Sequence, residues 1–232
     1  MALPKLEVPT YSVKLPSSGQ NVVYRPFLVK EHKILLTLME SETEEISRVV
    51  TDLVDACTFN KLDVNKLASF DIEYLFLLLR ARSIGETMEL IMTCKNCSHK
   101  NEVTVNLLDA KVNKSDNHSN IVKIGEDLSI VMKYPKIKDT LYFFKNNNQE
   151  EIFDFVVNSI DSVILNDEVF DAKEQTKEEL DIFVNSMTKD QFDKLEEFFT
   201  SMPKLTQTIS KVCDNCNHNN ETVLEGLENF FV

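Results

Sequence analysis

The chain has 232 residues, with 25 Lys+Arg against 38 Asp+Glu, a formal net charge of −13 and a sequence pI of about 4.8. Its 43% hydrophobic and 27% charged residues are the composition of a globular protein with a buried core rather than of a disordered chain. The four glycines (Gly19, Gly85, Gly125 and Gly226) lie too far apart for a Walker loop or a dinucleotide fingerprint, and the charge, unrelieved by any Lys/Arg-rich stripe, excludes duplex nucleic acid as a natural partner.

The opening MALPKLE has no basic stretch leading into an apolar one, so export by a signal peptide is not expected. The longest apolar run, Tyr74 to Leu79, is far short of the roughly 20 residues of a membrane helix, so no membrane partner is expected either. The expected compartment is a reducing cytoplasm, where cysteines serve as metal ligands or buried apolar groups more often than as disulfides.

In chain order, residues 10–27 predict a β-hairpin. TYSVKL alternates, Pro16-Ser17-Ser18-Gly19 supplies the turn, NVVYRPF returns, and Pro26 makes the second strand an edge or ends it. Helical spacing follows over 29–39 and 42–56. In the second of these Ile46, Val49, Val50, Leu53 and Val54 share a face, and Glu42, Glu44 and Glu45 suit the positive helix start. A helix over 70–83, closed by Gly85, is apolar almost all round and therefore belongs in the centre of the core. Arg80 and Arg82 in its last turn read as helix-end cations, with a partner contact as the alternative.

From Glu86 the pattern alternates. TMELIMT enters and EVTVNL leaves Cys94-Lys95-Asn96-Cys97, which places that turn at a hairpin tip. Residues 110–119 read as a polar loop, followed by short strands over 120–124 and 128–134. Helices are predicted over 138–146 and 149–160, then a hairpin of SVILN and EVFDA with Asn166-Asp167 in its turn. Thr176…Glu179 and Thr188…Gln191 are capping boxes for two further helices, the second stopped by Pro203. LTQTISKV leads into Cys213-Asp214-Asn215-Cys216.

The two cysteine segments echo one another. Residues 94–102 and 213–221 both fit C-x-N-C-x-H-x-N-E. A Cys-x-x-Cys turn aims two thiolates at one ion, and four thiolates complete the tetrahedron that zinc prefers. The favoured reading is one structural zinc site of Cys94, Cys97, Cys213 and Cys216, with the long segment 98–212 inserted between its halves. Two separate pairs or metal-free thiols, a redox pair, and a catalytic zinc are the alternatives. The redox pair lacks a thioredoxin-like βαβ context, and four thiolates leave no open position for catalysis. His99 and His218 are candidates for a position just outside the ligands, and Cys57 for a small buried hydrophobe. His32, at a helix start, and His118, in the polar loop, have no neighbouring nucleophile in sequence, and no HExxH, GxSxG or DxDxDG motif occurs.

The expected fold class is α+β: a helical core with small antiparallel hairpins and a four-cysteine, zinc-ribbon-like site formed by two distant knuckles. The expected segments are an N-terminal hairpin arm (1–28), a helical core (29–85), the first knuckle hairpin (86–109), a mixed α/β and mainly helical insert (110–205), and the second knuckle with an apolar tail (206–232). No Pro/Ser linker or low-complexity tract marks a sharp boundary. In the tail Leu224, Leu227, Phe230, Phe231 and Val232 have helical spacing, suited to docking on the chain's own core or to insertion into a neighbouring subunit.

The residues also carry a resemblance. MALPKLEVPTYSVKLPSSGQNVVYRPFLVKEHKILL, and then CTFNKLDVNKLASFDIEYLFLLLRARSIGETMEL before the first Cys-x-x-Cys, resemble the baseplate hub subunit and hub assembly proteins of T4-like contractile-tailed phages. The most specific stretches are Tyr24 to Glu31 and Phe70 to Phe76. The resemblance covers about residues 1–105, and beyond that it is carried by the returning Cys-x-x-Cys and a similar length. It implies a non-enzymatic tail protein that builds the central hub in the host cytoplasm, either staying in the virion or leaving after assembly. It also implies other hub or tail proteins as partners; a homo-oligomer is compatible with it. Two further classes stand beside it: a zinc-ribbon adaptor of nucleic-acid machinery, opposed by the charge, and a hydrolase within the insert.

Overall fold

In the computed structural model, which describes residues 6–38, 43–140, 149–226 and 229, the first alternating segment forms β1 (Tyr11–Lys14) and β2 (Asn21–Tyr24). They pair antiparallel, with Tyr11 opposite Tyr24 and Lys14 opposite Asn21. Gly19 closes the turn at φ +69°, a conformation that residues with a Cβ adopt at a cost. Three helices follow: α1 (Val29–Leu38), α2 (Thr43–Cys57) and α3 (Ser69–Ser83). α3 is buried from Ser69 through Glu73 and from Leu75 through Leu79, as its almost all-round apolar character predicts. α2 packs along it, and Val50, Leu53 and Val54 on the apolar face of α2 are buried.

The hairpin is fastened to this helical layer by polar contacts. The Asp71 carboxylate, fully buried in the first turn of α3, accepts from the Ser17 N–H at 3.0 Å and from the Ser17 hydroxyl. Arg25, just past β2, donates to Glu31 of α1 at 3.0 Å, while the other Glu31 oxygen caps the Leu28 N–H at 2.6 Å. Burial raises the Glu31 pKa, but the Arg25 guanidinium and the Leu28 N–H outweigh it and hold the carboxyl below its usual range.

The chain then builds two cysteine-tipped hairpins. β3 (Thr87–Thr93) pairs with β4 (Lys100–Asn106), and β10 (Lys204–Val212) pairs with β11 (Asn219–Glu225). β5 (Lys111–Asn113) lies along the other edge of β10, so part of the segment read as a polar loop is a strand. Three residues are too few for a visible alternation, and the pairing with β10 is long-range. Leu77 and Ala81 of α3, Met88, Val105, Leu205 and Leu224 share the core beneath these hairpins.

Two compact units result, one of Met1–Asn113 with Lys204–Val232 and the other of Lys114–Pro203. The second unit is a four-stranded antiparallel sheet in the order β6-β7-β8-β9, formed by β6 (Ile121–Lys123), β7 (Leu128–Met132), β8 (Ile160–Leu165) and β9 (Glu168–Asp171). Asn166 and Asp167 both take positive φ in the β8–β9 turn, the requirement of a type I′ hairpin turn and the reason those residue types signalled it. Helices α4 (Gln149–Asn158), α5 (Lys177–Asn185) and α6 (Lys189–Ser201) complete the unit. Both capping boxes form, at Thr176/Glu179 and Thr188/Gln191. The core is built on Ile130, Met132, Val157, Ile160, Leu195 and Phe198. Of the helix predicted over 138–146, residues 138–140 are helical, continuing from 137, and the rest lies outside the described residues. Among the described residues no helix is long and apolar enough to cross a membrane.

Candidate metal centre

The two hairpin tips converge. All four sulfurs of Cys94, Cys97, Cys213 and Cys216 lie within 4.8 Å of one another. Two of the separations that cross between the knuckles are 3.7 Å, from Cys94 to Cys216, and 3.6 Å, from Cys97 to Cys213. A zinc ion with Zn–S bonds of about 2.3 Å needs sulfur–sulfur edges of about 3.8 Å, so the spacing fits a tetrahedral ion. Cys94 and Cys213 are buried, and Cys97 and Cys216 are half-buried at the tips.

Local backbone geometry explains why these turns aim their thiols inward. In the first knuckle the Cys94 N–H donates to the His99 carbonyl at 2.8 Å and the Ser98 N–H to the Cys94 carbonyl at 3.0 Å. In the second, Cys213 N–H to His218 O and Asn217 N–H to Cys213 O repeat those bonds at 2.8 and 3.0 Å. Ser98 and Asn217 both adopt the left-handed conformation, at φ 59° and 55°, which reverses the chain tightly after the second cysteine. Asn96 and Asn215 reach across: their side-chain amides lie 3.5 Å from Cys216 Sγ and 3.6 Å from Cys97 Sγ.

These donors set the protonation of the thiols. Burial works against ionisation of Cys94, yet the N–H groups of Cys97 and Asn96 and the Asn220 amide bring its thiol down to about 6. Cys213 is lowered in the same way, burial being outweighed by the N–H groups of Asn215 and Cys216. At Cys97 the His99 N–H and Asn215 amide favour the thiolate, but the adjacent Cys216 and Cys213 sulfurs push it up to about 11. Four thiolates cannot ionise side by side without a cation, and a divalent ion at their centre removes the conflict.

Sequence reasoning missed two residues here, Asn101 and Asn220. Both are 1% exposed and both bond across the knuckles. The signal was present, because each is the eighth residue of the repeated motif. The His99 and His218 side chains are exposed.

A family model described as T4 bacteriophage base plate protein matches residues 8–232. The chain belongs to that family. No curated protein matches it. No solved structure matches it. As a baseplate-family protein it is a component of a phage tail and is built to contact other tail proteins, with a four-cysteine cluster that could hold a metal ion.

The remaining sequence candidates fall in different places. Cys57 is fully buried at the end of α2, and burial pushes its thiol up to about 11. Arg82 pairs with Glu86 one turn on and lies over the Tyr11 ring at 4.8 Å from its centroid. Arg80 loses some basicity to burial. His118 departs from the polar-loop reading: it is 6% exposed, with Nδ1 3.0 Å from Ser201 Oγ and Nε2 3.0 Å from the Tyr134 hydroxyl. Ser201 Oγ gives its own proton to the Glu197 carbonyl at 2.8 Å, so it accepts from Nδ1–H and the imidazole is not placed to deprotonate it. In the tail, Leu224 is a core residue of β11 rather than part of a helix. Leu227, Phe230 and Phe231 lie outside the described residues.

Proposed function

We propose that the chain is a non-enzymatic structural or assembly component of the baseplate hub, folded around a structural zinc held by Cys94, Cys97, Cys213 and Cys216. The observation that carries the reading is the cross-knuckle sulfur geometry, in which four cysteines supply every position of a tetrahedral site. Four thiolates satisfy zinc fully and leave no place for a substrate or an activated water, which favours a structural over a catalytic role. The ion would tie the C-terminal hairpin to the middle of the chain and keep one face of the fold fixed for neighbouring hub or tail proteins.

Purified protein should carry one zinc per chain. Cys94→Ser should release it and lower the melting temperature by roughly 5 °C or more, since metal binding is linked to folding. A metal-free wild type whose melting temperature the substitution leaves unchanged would overturn the zinc assignment. Mass spectrometry of tail particles from infected cells tests the hub role. Recovery with hub proteins, in mature tails or only in assembly intermediates, supports it and decides between virion part and assembly factor. Absence from both rejects it.

A further inference from the structure

The two knuckles are held together by a reciprocal pair of hydrogen bonds between protein atoms. The Lys95 N–H, in the first knuckle, donates to Asn220 Oδ1 at 2.9 Å. The Asp214 N–H, in the second, donates to Asn101 Oδ1 at 2.9 Å. Lys95 and Asp214 each directly follow the first cysteine of their own knuckle, so the two bonds are equivalent under exchange of the knuckles.

Each asparagine is itself fixed to its own hairpin. Asn101 Nδ2 donates to the His99 carbonyl at 3.2 Å and to the Met92 carbonyl at 3.3 Å. Asn220 Nδ2 donates to the His218 carbonyl at 3.1 Å and to the Lys211 carbonyl at 3.5 Å, and lies 3.5 Å from Cys94 Sγ. Those same histidine carbonyls accept the first cysteine's N–H in each knuckle. One amide therefore closes its own turn with its nitrogen and grips the opposite turn with its oxygen. Aspartate keeps the oxygen but loses the donor, whereas alanine loses both.

We infer that Asn101 and Asn220 are positioning residues that assemble the four-cysteine site before a metal arrives. They bring together knuckles far apart in sequence, so that the ion meets four sulfurs already within reach. This rests on the metal-site reading above, but the brace can be measured without metal. Groups just outside a metal's ligands typically alter affinity by about 10–100-fold when removed.

The test uses the full chain with cobalt(II) as the probe ion, and amide exchange by NMR in metal-free protein. In the wild type the Lys95 and Asp214 amides should both exchange slowly. Asn220→Ala should release Lys95 and Asn101→Ala should release Asp214, each at least about 10-fold faster, while cobalt affinity falls by about 10–100-fold. Asn101→Ala should leave Lys95 slow and Asn220→Ala should leave Asp214 slow, so each variant is the folded control of the other. Where one of the two does not fold, the other carries the test with its own amide as the readout. Unchanged exchange at Lys95 in Asn220→Ala, unchanged exchange at Asp214 in Asn101→Ala, or unchanged cobalt affinity in the variants that fold would overturn the inference. A wild type that binds no cobalt but shows the exchange pattern removes the metal reading and the positioning role, and leaves only a structural brace.

Discussion

Burial lowers the pKa of the His118 imidazole, and Lys114 adds to the effect. Its ring also stacks on Tyr134 and packs tilted against Phe198, at centroid distances of 5.7 and 5.1 Å. A histidine with a depressed folded-state pKa contributes no pH dependence above its unfolded value of about 6.5, where both states are neutral. As pH falls below that, the unfolded chain takes the proton first, and stability is lost until the folded-state pKa is passed. The melting temperature should therefore drop between pH 7 and 5, and His118→Gln should show a smaller drop over the same range. An equal drop in the variant would remove His118 as a source of acid sensitivity. At this scale the sequence was legible where one residue type carries its own chemistry, as at the cysteines. It was silent on His118, because Ser201 and Tyr134 reach the ring only through tertiary packing. Arg25 and Glu31 are similar: six residues apart with Pro26 between them, they meet through a change of chain direction that no periodicity announces.

Among the elements, the N-terminal hairpin depends most on a single joint. Asp71 is taken fully out of water, which raises its pKa, and the two bonds from Ser17 pull it part of the way back. Ser17→Ala removes the hydroxyl and leaves the carboxylate with the backbone N–H alone. A hydrogen bond to a charged group contributes about 1.5–3 kcal/mol, so the substitution should cost about that much in chemical denaturation. Asp71 should then titrate higher than in the wild type, an upward shift that carbon-detected NMR can follow. A neutral effect on both would show that the joint is dispensable. The elements themselves were largely readable. The capping boxes at Thr176 and Thr188, the Asn166-Asp167 turn and the all-round apolar α3 each bear a local rule that survived tertiary packing. β5 was not readable, because its pairing partner β10 lies on the far side of the insert.

For the whole molecule, the division into two units has a simple geometry at its seam. Asn113 and Lys204, the residues that leave and re-enter the first unit, are directly opposite in the β5–β10 pair, and the Asn113 side chain donates to Thr206 Oγ1 at 2.7 Å. Antiparallel neighbours of this kind can be joined by a two-residue Asn-Gly turn. Replacing residues 114–203 with that turn should leave a first unit that folds cooperatively and takes up cobalt with a tetrahedral thiolate spectrum. Loss of either property would mean that the insert is required for the ribbon to form. The four-cysteine site was visible in the repeated nine-residue motif, and the insert expected over 110–205 lies close to the second unit, Lys114–Pro203, although no change of composition marks the seam.

Cys57 gives the molecule an internal clock. Its sulfur is enclosed at the end of α2 beside Arg25, with Nη1 at 3.7 Å, and its thiol is held protonated at neutral pH. An alkylating reagent can reach it only when the helical layer opens, because the thiolate is the reactive form and the folded chain offers neither charge nor access. The labelling rate at this one position, read against reagent concentration, therefore reports how often the helices part, separately from whatever happens at the knuckles.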